Sequence, residues 1–119
     1  MALTAPLDVV VVMDPIHTIK TTKDSTFAML LEADRRGHRL HYVRPGGLAV
    51  RDGQAYAVAA SLTVRDVPGD HFSLGDWQEH VFGHGQVVLM RTDPPVDAAY
   101  LHDTQTLSLA RRQGALVVN

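Results

Sequence analysis

Two acid–proline turns frame the chemistry this chain could carry. Asp14-Pro15 closes the apolar run Val9 to Met13, and Arg91-Thr92-Asp93-Pro94-Pro95 closes the run Val87 to Met90. Lys20, Lys23 and Ser25 lie between the first turn and the helix that follows it. In an open parallel sheet, ligands bind beyond the carboxyl ends of the strands. Asp14, Lys20, Lys23, Ser25, Arg91 and Asp93 would then gather on one edge. Arg91 offers a planar fork that pairs with a carboxylate through two bonds. A helix start at Asp24 to Thr26 presents backbone N–H groups to an anion. Each residue also has a structural role open to it: Asp14 as a turn cap, Asp24 or Ser25 as a helix cap, Arg91 as a tie to Asp93. From residue types alone both readings stand.

Other constellations fail on spacing. No Gly-x-Gly-x-x-Gly follows the first strand and no Gly-Lys-Ser/Thr loop occurs, so neither the dinucleotide fingerprint nor the Walker loop is present. The seven histidines are scattered: His38 and His41 fall on opposite faces of a strand, and His80 and His84 share a face only if a helix survives Gly83. With no cysteine and no carboxylate at ligand spacing, they do not make a zinc site. Ser25 has no histidine–acid pair near it in sequence, which leaves it a cap or a ligand contact rather than a nucleophile.

The elements that must position these residues can be read from pattern. Val9 to Met13 is a short, continuous apolar run, the mark of a strand buried on both faces. Pro15 cannot donate to a ladder and ends it. Asp24, Ser25 and Thr26 open a helix whose apolar face carries Phe27, Leu30 and Leu31, and Gly37 stops it. His38 to Val43 is a second strand, parallel to the first because a helix joins them. Leu48 to Arg51, Asp52-Gly53 and Gln54 to Val64 predict a β-hairpin with a two-residue turn. Residues 66–85 hold four glycines and Pro68. A short strand at His71 to Leu74 fits there, Trp77 is expected to anchor a loop on the core, and 76–82 reads equally as helix or loop. Val87 to Met90 is the next buried strand, about Asp97 to Gln113 an amphipathic helix, and Ala115 to Val118 a last short strand.

Composition sets the outer limits. The chain has 119 residues, 45% of them hydrophobic, enough for one domain with a single core. A formal net charge of −2 leaves no electrostatic footprint for nucleic acid. No apolar run reaches the ~20 residues of a membrane span, and Met1 to Pro6 lacks the features of a signal peptide. Absence of cysteine excludes disulfides, thiolate metal sites and a cysteine nucleophile, and fits a reducing cytoplasm.

The strings themselves carry a family likeness. VVMDPIHTIKTTKDSTFAMLLEADRRGHRLHYV at 11–43, VVLMRTDPPVDAAYLHDTQTL at 87–107 and the ending GALVVN resemble the opening of the prokaryotic-type glutathione synthetases. The likeness runs from about Leu7 to Asn119 and is weakest over 50–82. It implies a Rossmann-like, three-layer α/β fold of the pre-ATP-grasp type, a mainly parallel sheet with a β-hairpin embellishment, and places 1–119 as an N-terminal domain. The full enzyme would join γ-glutamylcysteine to glycine with ATP and Mg²⁺ through an acyl phosphate, in the cytoplasm, as a homo-oligomer. The ATP and Mg²⁺ sites would belong to an ATP-grasp domain that this sequence does not contain, so these 119 residues alone are expected to be inactive. The likeness also implies that Arg91 and the Asp14-Pro15 turn face the substrate cleft. Two other readings share the fold: the front domain of another ATP-dependent carboxylate–amine ligase, and a free-standing binding or assembly module without catalysis.

Overall fold

The computed structural model describes residues 5–92 and 98–118. Asp93, Pro94, Pro95 and Asp97, singled out above, lie outside the described residues. Strand β1 (Asp8–Met13) is followed by a 3-10 turn (Ile16–Thr18), helix α1 (Ser25–Arg35), β2 (Arg39–Val43) and the hairpin β3 (Leu48–Arg51) and β4 (Gln54–Val64). Then come β5 (Phe72–Val81), β6 (Gln86–Arg91), α2 (Ala98–Arg112) and β7 (Leu116–Val118). The strands form one sheet in the order β3-β4-β2-β1-β6-β7, with β5 on β4. The expected Rossmann-like α/β class is the one found.

The sheet has two halves. β2, β1, β6 and β7 run parallel, joined by crossovers through α1 and α2. β3, β4 and β5 are antiparallel. β2 and β3 lie end to end along one side of β4, pairing Leu40–Tyr42 with Ala60–Leu62 and Leu48–Arg51 with Gln54–Ala57. The hairpin turns at Asp52 (φ 53°) and Gly53 (φ 75°), both left-handed as a two-residue type I′ turn requires.

β1 is buried on both faces, as its unbroken valines demand. Val10 and Val12 face α2 with Val88, Leu107, Ala110 and Val117. Val9 and Val11 face α1 with Phe27, Leu30, Leu40 and Leu89. Asp24 caps α1 by accepting a bond from Phe27 N–H at 2.8 Å, and Gly37 (φ 84°) ends the helix. α2 presents Asp103, Thr106, Leu107 and Ala110 to the sheet, at helical spacing. Two partly polar residues on that stripe explain why its periodicity is weak in the sequence.

The segment 76–82 resolves into neither helix nor loop: most of it is strand, part of the ten-residue β5. Pairing with β4 decides the matter. Trp77 therefore packs from a strand, 6.0 Å from the Tyr42 ring and beneath the Arg44 guanidinium. The register shifts between Ala60 and Leu62, and Gly75 sits at that bulge. A Cβ at Gly75 would lie 2.2 Å from Ser61 Oγ, so a larger residue there would require the Ser61 hydroxyl to turn aside.

Candidate functional site

The parallel register Met13↔Arg91 brings the ends of β1 and β6 side by side. Just beyond them, the α1 N-terminus and the loop leaving β1 enclose a cleft of about 500 Å³. Its walls include Asp14, Thr18, Asp24, Ser25, Thr26 and Arg91. Asp14, Ser25 and Arg91 are thus brought together as the sheet-edge rule expects. Pro15, Lys20 and Lys23 are exposed and do not line the cleft. Pro15 works through its carbonyl, which accepts from Thr18 N–H at 3.0 Å and Thr18 Oγ1–H at 2.6 Å. Lys20 and Lys23 belong to the turn that delivers Asp24 to its capping position.

Arg91 is held against the start of α1. Its Nε donates to Thr26 Oγ1 at 3.0 Å and its Nη2 to Ser25 Oγ at 3.3 Å. A cation beside the positive end of a helix dipole is unfavourably placed. The Asp24 carboxylate offsets part of that cost, and an anion entering the cleft would offset more. The structural tie open to Ser25 and Thr26 in the sequence was a cap; Asp24 has that role, which leaves both hydroxyls to Arg91. Thr26 was not a candidate on sequence. The signal available was its place beside Ser25 in the first turn, but its partner lies 65 residues away.

The loop is fixed from behind. Ile16 is 1% exposed. Its N–H donates to Tyr42 Oη at 3.4 Å and its carbonyl accepts from His71 Nε2 at 2.8 Å. That carbonyl has no proton to give, so His71 carries its proton on Nε2. Burial raises the Tyr42 phenol above its ordinary pKa, keeping it neutral. His71 also meets Phe27 edge-on at 5.5 Å, touching α1 as well as the loop. Neither Tyr42 nor His71 was marked by local sequence. Among the described residues no group of three or more His, Cys, Asp or Glu converges as a metal site.

A Rossmann-like α/β domain with a polar cleft at the carboxyl edge of its parallel strands is what these observations define. Over residues 7–119 the sequence matches the family described as prokaryotic glutathione synthetase, N-terminal domain, and the chain belongs to that family. Proteins named glutathione synthetase are similar to it. That of Xanthomonas axonopodis pv. citri is 66% identical over 113 residues, covering 95% of this chain and 36% of the relative. That of Xylella fastidiosa (strain Temecula1) is 57% identical over 114 residues, covering 96% of this chain and 36% of the relative. That of Escherichia coli K12 is 43% identical over 109 residues, covering 92% and 34%. The chain therefore spans about a third of the length of these relatives.

Proposed function

We propose that this chain is the substrate-side domain of a cytoplasmic, homo-oligomeric glutathione synthetase, the longer protein ligating γ-glutamylcysteine to glycine with ATP. The observation that carries the reading is Arg91, seated in the cleft on two neutral hydroxyls next to Asp14. Hydroxyls are weaker acceptors than a carboxylate, and a planar guanidinium takes a carboxylate bidentately. A peptide carboxylate entering the cleft would displace Ser25 and Thr26 from the fork, orienting the peptide in a cleft that Asp14 also lines. Asp93, from the same turn as Arg91, belongs to the proposed contact set by its sequence position. Pro15 contributes by shaping the turn.

ATP and Mg²⁺ serve the longer enzyme's activation of the γ-glutamylcysteine carboxylate, through an acyl phosphate. The described residues do not fit either group. They bring no three or more His, Cys, Asp or Glu side chains together, and the loop from Asp14 to Asp24 has no glycine to let backbone approach a phosphate. What this chain's residues do is bind and orient. The 119 residues alone therefore form no glutathione from ATP, γ-glutamylcysteine and glycine; turnover by the purified chain would overturn that.

The direct test is Arg91→Ala in the longer enzyme. Losing a charge-assisted bidentate contact raises KM for γ-glutamylcysteine about 10-fold or more, with KM for ATP unchanged. Arg91→Lys restores charge without the fork and recovers only part. An unchanged kcat/KM at unchanged stability would remove Arg91 from the site.

A further inference from the structure

His71 reaches the cleft from outside it. It stands at the end of the turn between β4 and β5 and is 5% exposed. That turn is built to hold it. Arg65 N–H donates to the His71 carbonyl at 2.9 Å, and the Arg65 guanidinium donates to the Asp70 and Phe72 carbonyls on either side, at 2.9 and 3.0 Å. The imidazole then makes contacts in two directions. Its Nε2–H donates to the Ile16 carbonyl, in the loop whose Asp14 and Thr18 line the cleft. The ring also meets the Phe27 ring at 85°, edge against face. Phe27 belongs to the first turn of α1: its N–H is the one Asp24 caps, and its neighbour Thr26 accepts from Arg91. One side chain therefore touches both the loop wall and the helix wall.

Three requirements meet at this position. The buried Ile16 carbonyl needs a donor, because an unsatisfied acceptor there costs its full desolvation. Phe27 and Phe72, the latter 4.9 Å away, need a flat, uncharged partner. Nothing among the described residues accepts a second proton: His71 Nδ1 is buried without a hydrogen-bond partner, so a charged ring would strand an N–H. A neutral imidazole with its proton on Nε2 meets all three. We propose that His71 is a positioning residue for the peptide substrate, latching the loop and the α1 N-terminus together so that Asp14, Thr18 and Arg91 keep their spacing around a bound carboxylate. The proposal rests on the reading of the cleft as the γ-glutamylcysteine site. His71 does not itself line the cleft, and acts on binding through Ile16 and Phe27.

The test is made in the longer enzyme. His71→Phe keeps a ring against Phe27 and removes the donor. KM for γ-glutamylcysteine should rise about 10-fold, with KM for ATP and kcat held within about twofold. His71→Gln, whose amide carries an N–H at the reach of Nε2, should recover most of that loss, a recovery that packing alone would not give. Amide exchange reads the latch without turnover: in His71→Phe it should quicken about 10-fold at Ile16 and Thr18 and stay unchanged at Val10 to Val12. Arg65→Ala loosens the same turn from outside and should move both readouts the same way by about threefold, so the link stays measurable even where His71→Phe folds poorly. Unchanged exchange at Ile16 and Thr18 overturns the proposal. So does a His71→Gln enzyme no better than His71→Phe, or a KM that His71→Phe leaves unmoved while Arg91→Ala raises it. A KM that neither substitution moves removes the substrate reading itself, and quickened exchange then leaves His71 a structural latch alone.

Discussion

The parallel and antiparallel halves of this sheet are held by different forces. β1 lies between two helices, with Val10, Val11 and Val12 fully buried and Phe27 and Leu30 closed over one face. β5 has mostly exposed side chains. It is tied down by surface contacts: the Arg51–Glu79 ion pair, Arg65 bridging Asp70 and the Phe72 carbonyl, and Arg44 stacked on Trp77. Exposed ion pairs contribute little each, whereas fully buried apolar side chains contribute about 1.5–3 kcal/mol each. The rigid half carries the cleft. The lightly held half carries β5, which among the described residues pairs with β4 alone.

The sharpest test of this contrast sets a buried residue against an exposed one. Phe27→Ala removes a fully buried ring from under α1, and about 3–5 kcal/mol of unfolding free energy should be lost in denaturant titration. Val81→Ala on β5 should cost less than about 0.5 kcal/mol. Comparable losses would erase the distinction between the halves.

A second test addresses the seam between them. The Gln113 side chain accepts from Ala55 N–H at 2.7 Å and donates to the Ala55 and Phe82 carbonyls at 3.0 and 2.9 Å. It thereby fastens the end of α2 to the start of β4 and the end of β5. Gln113→Ala strands the Ala55 N–H and the Phe82 carbonyl, while the Ala55 carbonyl keeps its bond from Phe82 N–H, and should cost about 1–3 kcal/mol. Hydrogen exchange should rise first at Ala55 and Phe82. Exchange rising equally across β1 would show that the two halves open as one unit.

The third test is electrostatic. Asp8 accepts from Arg39 at 2.8 Å and contacts His41 at 2.9 Å, and the Arg39 bond leads in lowering its pKa from 3.8 to about 2. A carboxylate depressed on folding adds stability above its unfolded pKa, and that stability fades as pH falls through the folded one. The contribution, about 1 kcal/mol after solvent screening, is whole at pH 5 and goes between about pH 4 and pH 2. Asp8→Asn should lower the unfolding midpoint at pH 6 and leave it unchanged near pH 2. An equal loss at both would assign the effect to packing.

Legibility in the sequence followed the same division. The β1–α1–β2 unit was readable because its signals are local: unbroken valines, a proline stop, an aspartate cap and a closing glycine. The hairpin was readable from Asp52-Gly53. β5 was readable only at its start, Phe72 to Leu74; beyond Gly75 the mix of charged and polar residues gives no strand signal, and pairing with β4 extends the strand to Val81. Asp14, Ser25 and Arg91 could be gathered on one edge from topology alone. What Arg91 rests on could not, because Ser25 and Thr26 meet it only through the parallel register of β1 and β6. His71 was invisible for the same reason, lying 55 residues from the carbonyl it holds.

That last contact bears on how divisible the domain is. By connectivity, residues 7–43 and 86–92 would make a portable cleft, and the insertion between them would look dispensable. Yet the Ile16 peptide, in the loop between the cleft residues Asp14 and Thr18, is gripped by His71, which arrives with β4 and β5. A graft of the parallel unit onto another scaffold would leave a buried carbonyl without its donor. The hairpin half therefore has to travel with the cleft, and shortening the 65–71 turn would be felt at Ile16, in the loop that leaves β1.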